Sequence, residues 1–209
     1  RDLETIFGKV QVERTGYGCP GTDSLHPLDA ELKQIVDANN ATLAQVPRPR
    51  PEGKRVWASL EKEPAQVIEQ VFDEAHKRDP SLEKTWVALV DGEKSQIRRL
   101  RRTAQKAGID LTIACDVVHV IEYLWAAGRA FYPESGPELE GWVRHRLLGI
   151  LDGKAGLIAG AMRRSATRRG LSCKAREPVD KCATYLLNHA PYLHYDRYLA
   201  AGMPIATGV

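Results

Sequence analysis

The chain has 209 residues, 43% of them hydrophobic and 27% charged, with a net charge of only +3, the composition of an ordinary globular protein. That length supports one or two domains with a sizeable core. No apolar run approaches the roughly 20 residues that a bilayer-spanning helix needs, and no secretory leader is visible, so membrane classes are excluded and a cytoplasmic location is expected. The four cysteines (Cys19, Cys115, Cys173 and Cys182) share no metal-ligand spacing. They are expected as free thiols, with Cys115 and Cys182 on apolar faces.

In chain order, residues 3–18 carry strand formers (Thr5, Phe7, Val10, Val12) and then Gly16-Tyr-Gly18 and Cys19-Pro-Gly21, the pattern of a β-hairpin. Ser24 to Glu31 reads as a turn entering a short helix that Lys33 to Asn40 could extend. Pro47-Arg-Pro-Arg-Pro51 cannot be helical and reads as an extended linker. Arg55 to Leu60 is a predicted strand. Glu63-Pro64 opens a helix with Val67, Ile68, Val71, Phe72 and Ala75 at core spacing, and Asp79-Pro80 ends it. Trp86 to Val90 is apolar without alternation, as in a strand buried on both faces. Glu93 to Gly108 is helix-forming and ends in a glycine suited to a C-terminal cap. Ile109 to Cys115 alternates as a strand, and a helix follows Asp116. Strand, helix and strand in this order form a βαβ unit.

From Gly136 onward the pattern is helical. One helix carries Leu139, Trp142, Val143, Leu147, Ile150 and Leu151, a second runs from Lys154 to Arg169, and Pro178 is expected to open a third. Tyr185 and Tyr198 read as core, and Tyr192 and Tyr195 are left open between core packing and stacking on bases. The resulting division is an N-terminal β-hairpin and short-helix segment (1–46), a linker (47–53), an α/β core (54–135) and a helical region (136–209).

Both predicted parallel strands end in an aspartate, Asp91 and Asp116, which places two carboxylates at the carboxyl edge where open α/β sheets hold ligands. A hard cation such as Mg²⁺ would neutralise the pair. Equally, Asp91 can start an Asp-Gly turn and Asp116 can cap the next helix. On that helix Val117, Val120, Ile121, Leu124, Gly128 and Phe131 fall on one side and should cover the sheet. His119 lies on the other side with Tyr123 and Glu122, and its expected partner is one of those two.

Charge is clustered. Residues 93–108 hold Lys94, Arg98, Arg99, Arg101, Arg102 and Lys106 against the single acid Glu93, and residues 163–176 hold Arg163, Arg164, Arg168, Arg169, Lys174 and Arg176 with none. Either cluster alone is a solvated helix face. Two of them flanking a candidate metal site point towards a phosphate backbone.

Trp86-Val-Ala-Leu-Val-Asp-Gly-Glu93, Asp116-Val-Val-His-Val-Ile-Glu-Tyr-Leu-Trp125, the opening Thr5-Ile-Phe-Gly-Lys-Val-Gln-Val-Glu-Arg-Thr-Gly-Tyr17 with His26-Pro-Leu-Asp29, and the stretch from Tyr192 through Gly202-Met-Pro-Ile-Ala-Thr-Gly-Val209 resemble bacterial insertion-sequence transposases of the Kra group. These are DDE transposases with a ribonuclease-H-like catalytic fold. The resemblance implies a partial ribonuclease-H-like sheet with a helical insertion, behind a small β-rich N-terminal segment. It further implies DNA transposition, with transposon-end DNA as partner and Mg²⁺ as the metal cofactor. By the same resemblance Asp91 matches the second catalytic aspartate and a metal ligand, Asp116 a metal ligand, and His119 and Glu122 supporting groups. Arg98, Arg99, Arg101, Arg102, Arg163, Arg164, Arg168 and Arg169 would contact DNA.

Two elements of the family pattern are missing. No strand-borne Asp-Gly precedes residue 55, where the first aspartate belongs, and the catalytic glutamate is expected just beyond Val209. The start at Arg1 adds to the impression of a fragment. The chain alone is therefore expected to be catalytically incomplete, since losing one metal-ligand carboxylate abolishes two-metal catalysis. The alternatives are a non-catalytic DNA-binding remnant or regulator, and a helical interaction module that binds no metal. A sheet short of its central strand would expose edges, which leaves a homo-oligomer or disorder open as outcomes.

Overall fold

The computed structural model describes residues 59–206 together with 55 and 57, and, by backbone alone, 2–5 and 8–11. Contacts divide the chain into two units, Arg1–Glu52 and Gly53–Val209. In the first unit, β1 (Asp2–Thr5) and β2 (Gly8–Gln11) pair antiparallel from Asp2↔Gln11 to Thr5↔Gly8. The antiparallel pair expected within 3–18 lies over 2–11, with Phe7, read as a strand former, falling between its two strands in the sequence, and Val12 to Gly21 lie outside the described residues. The helix expected over 22–40, the linker at 47–51 and Cys19 lie outside the described residues.

The second unit is mixed α/β and mostly helical. Its first helix, α1 (Pro64–Arg78), has proline in its first turn, where the missing N–H costs nothing. The Gln66 side chain accepts the Glu63 N–H at 3.1 Å. No strand forms among the described residues of 55–60. The Ser59 hydroxyl accepts the N–H groups of Lys62 at 2.9 Å and Glu61 at 3.2 Å, a side-chain turn that leads the chain towards α1. Leu60 is left 91% exposed.

Asp79 ends α1 and organises the turn after it. Its carboxylate accepts the indole N–H of Trp86 at 2.8 Å and the backbone N–H groups of Glu83 at 3.0 Å and Lys84 at 3.1 Å. The Trp86 hydrogen bond above all holds this carboxyl below its ordinary range, because hydrogen bonds to the charged form favour it.

Strand β3 (Trp86–Val90), helix α2 (Lys94–Ala107) and strand β4 (Leu111–Cys115) form the βαβ unit, with β3 and β4 parallel and in register from Trp86↔Leu111 to Val90↔Cys115. Glu93 caps α2, accepting from the Ser95 and Gln96 N–H groups, and Gly108 closes the helix in the left-handed region at φ 67°. Among the described residues the sheet has two strands. That explains one departure from the sequence reading: of β3 only Val90 is buried, because a strand with one neighbour is not covered on both faces. Phe72, Ala104 and Ile109 make a small core between α1 and this unit, joined by Ile68, Trp86, Leu100 and Leu111.

The rest is helical: α3 (Val117–Gly128), α4 (Pro137–Leu151), α5 (Ala155–Arg168), α6 (Cys173–Asn188), a 3₁₀ turn (Ala190–Tyr192) and α7 (Tyr195–Ala200). The predicted apolar side of α3 is buried, yet it packs chiefly against α6 and α4 rather than on the sheet; two strands are too narrow to cover it. Helix α6 begins five residues before Pro178, not at it. The Ser172 hydroxyl caps it by accepting the Ala175 N–H at 3.3 Å, and Arg176 pairs with Asp180 at 2.9 Å across the proline. Cys115 and Cys182 are buried free thiols, and Cys173 is an exposed one. No described helix is long and apolar enough to cross a membrane.

Candidate functional site

The parallel register settles where the two aspartates lie. Val90 and Cys115 are paired, so Asp91 and Asp116 leave the sheet side by side at its carboxyl edge. The Asp116 N–H extends the ladder to the Val90 carbonyl at 2.8 Å. Their side chains then diverge. Asp91 is half exposed (53%) and lies 4.0 Å from Nε2 of His119, and its Oδ1 accepts the Glu93 N–H at 2.9 Å. Asp116 is 7% exposed, and its Oδ1 accepts the Val118 N–H at 2.9 Å as the N-cap of α3. Both aspartate charges reach the thiol between them: burial first, then these two carboxylates, pushes Cys115 up to about 11 against the pull of Tyr185. At neutral pH it is a thiol, not a nucleophile.

The helical lobe grips this edge from behind. The Tyr185 hydroxyl donates to the Asp91 carbonyl at 3.0 Å. The His189 imidazole bridges two carbonyl oxygens, Nδ1 at 2.8 Å from Tyr185 and Nε2 at 2.7 Å from Gly92. Gly92 sits at φ +99°, and a Cβ there would stand 2.9 Å from His189 Nε2. Only glycine meets both demands. Tyr195, fully buried, donates its hydroxyl to the Cys115 carbonyl at 2.8 Å, and the Tyr198 hydroxyl reaches that of Ile113 at 3.4 Å. Of the two tyrosines left open, Tyr195 is therefore core, and Tyr192 is half-buried under the Arg101 guanidinium, 5.1 Å from its ring centre. Tyr123 stacks on Tyr185 with centroids 4.3 Å apart. His119 bonds to Glu122 at 2.7 Å, one of its two expected partners.

No family model matches the chain, and neither a curated protein nor a solved structure matches it. Its chemistry rests on its own residues.

Mg²⁺ takes six oxygen ligands in octahedral array. The rim offers the exposed carboxylate of Asp91 and what the cap leaves of Asp116, and no three His, Cys, Asp or Glu side chains converge on a possible metal position among the described residues. This set does not fit the three-carboxylate, two-metal arrangement, and no step is derived through a metal.

The basic clusters differ in state. On α2, Arg98, Arg101 and Arg102 are exposed, and Arg99 is half-buried and donates to the Ser95 hydroxyl at 2.8 Å. In the second cluster Arg163 is committed to packing: it donates to Thr184 Oγ1 at 2.8 Å and pairs with Asp180 at 3.4 Å. Arg169 lies over the rings of Phe131 and Tyr132, 5.4 and 5.0 Å from their centres. Arg164 and Arg168 are exposed. Arg169 and Lys174 are exposed as well, so four of the six basic residues of that run face solvent, and Arg163 and Arg176 are half-buried.

Sequence reading missed Asp79, His189 and Arg146. Asp79 and His189 are buried, and each acts on backbone or side-chain atoms that no local pattern points to. The one local signal is His189 at the end of α6, where its Nδ1 reaches the carbonyl four residues back.

Proposed function

We propose that this chain is a transposase-like DNA-binding protein, related to the DDE group with its ribonuclease-H-like sheet, and unable by itself to cut DNA. The observation that carries the reading is the parallel β3–β4 pair. It brings Asp91 and Asp116 out at one edge, while the helix between the two strands bears Arg98, Arg101 and Arg102 in solvent. Exposed guanidinium groups on one helix match the charge of a phosphate backbone. Incompleteness is read from the sequence, which carries no strand-borne Asp-Gly motif before residue 55 where the first aspartate belongs; Asp116, for its part, gives Oδ1 to the cap of α3.

The test is duplex binding by fluorescence anisotropy across a salt series, with plasmid nicking in Mg²⁺ or Mn²⁺ beside it. Binding should weaken steeply with salt, with log K falling by about 0.9 per phosphate contacted for each tenfold rise in salt, and no nicking should appear. Binding that ignores salt, or none at all, removes the DNA reading. Nicking that disappears in Asp91→Ala removes the claim of incompleteness.

A further inference from the structure

A second arginine site lies in the helical lobe, away from the sheet rim. Arg146 of α4 stacks on the Trp142 ring with its guanidinium carbon 3.7 Å from the centroid, and one Nη donates to the Trp142 carbonyl at 3.0 Å. Trp142 in turn packs on Phe131, centroids 5.3 Å apart. Arg169 covers Phe131 and Tyr132, donating to the Phe131 carbonyl at 3.3 Å and to the Tyr132 hydroxyl at 3.0 Å. Two cations are thus mounted on one run of aromatic rings.

This cluster lacks a counter-ion. The arginine ion pairs among the described residues are Arg55 and Arg78 with Glu74, and Arg163 and Arg176 with Asp180; no carboxylate pairs with Arg146 or Arg169. Arg146 is half-buried, and its Nε has no hydrogen-bond partner. Burial foremost pushes its guanidinium down to about 10; Tyr132 opposes this and the charge of Arg169 adds to it. A partly buried cation costs free energy unless an anion joins it, and Arg169, linked to Arg146 through the Phe131 and Trp142 rings, is exposed where an anion can enter. The hydrogen-bond inventory fits an anion as well. Each guanidinium has five N–H donors and one or two are used, and the Tyr132 hydroxyl, accepting from Arg169, keeps its own proton to donate. Ring stacking fixes the planar forks in advance, so less entropy is lost when they close on a tetrahedral oxyanion.

We propose that Arg146, Arg169 and the Tyr132 hydroxyl form a phosphate-binding site on the helical lobe, filled by a phosphodiester of bound DNA. The occupant rests on the DNA reading above, whereas the anion site rests on the lobe's own geometry. The experiment therefore has two arms on the full chain. In the first, inorganic phosphate is titrated while intrinsic tryptophan fluorescence, to which Trp142 contributes, and the arginine Nε–Hε resonances are followed. Saturable shifts are expected, weakened at least about fivefold in Arg169→Gln, with a smaller loss in Tyr132→Phe, which keeps the ring. In the second arm, the DNA salt slope should become shallower by about one unit in Arg169→Gln. Arg146→Gln should act likewise, and Tyr132→Phe covers the case in which Arg146→Gln fails to fold. Absence of saturable phosphate binding by the wild-type chain overturns the site. Phosphate binding with a DNA slope unchanged in Arg169→Gln overturns the DNA occupant while DNA binding itself stands. If wild-type protein ignores DNA but takes phosphate, the occupant and the DNA reading fall together and the anion site survives.

Discussion

Asp91 and Asp116 leave adjacent parallel strands at equivalent positions, yet one stands in solvent and the other is closed in. The difference lies in the next two residues of each segment. After Asp91 the chain turns through Gly92, and Glu93 takes over as the cap of α2; after Asp116 the helix starts at once, so that aspartate must be the cap. One inserted turn thus decides which carboxylate is closed in and which stands at the surface.

The comparison breaks first at Gly92. Gly92→Ala forces a Cβ against His189 in a left-handed backbone, and should cost more than about 1 kcal/mol in urea unfolding. Gly136→Ala, which meets nothing within 4 Å, should stay within about 0.5 kcal/mol. Equal effects would mean that the turn is not held as described. Next, Asp116→Ala should lose about 1 kcal/mol as the α3 cap goes, whereas Asp91→Ala should stay within about 0.5 kcal/mol; a reversed order would exchange their roles. The smallest effect is one of pH. The Ser95 hydroxyl first, then the Ser95 and Gln96 N–H groups, holds Glu93 down to about 2 from an ordinary 4.5. A lowered folded-state value means that its stabilisation is present above 4.5 and fades as pH falls towards 2. Melting curves of wild type and Glu93→Ala should therefore converge as pH drops through that window. Curves that stay apart would remove the cap from the account.

What the sequence disclosed was local. Gly108 at the end of α2, Pro64 at the start of α1, the cap at Asp116 and the Asp-Gly turn are each decided within a few residues, and each stands where its pattern put it. The buried side of α3 was legible, but its partners were not, because periodicity gives a face and says nothing of what meets it. Arg55 to Leu60 reads as a strand by composition, but no strand forms among its described residues, and the Ser59 hydroxyl turns the chain just after it by accepting the Glu61 and Lys62 N–H groups. Charge runs were the weakest guide: Arg163 and Arg169 belong to one basic stretch, yet Asp180 and a pair of aromatic rings, far apart in sequence, give them separate tasks.

The bonds that hold the Asp91 turn come from Tyr185 and His189, 94 and 97 positions downstream. A nascent chain that has emerged only through Gly92 possesses the catalytic-looking motif but nothing to fix it. Closing so long a loop is entropically costly and slow, so the rim takes its geometry only after α6 has been synthesised and docked. Any shortened version of the protein that ends before Tyr185 would keep the motif and lose its shape.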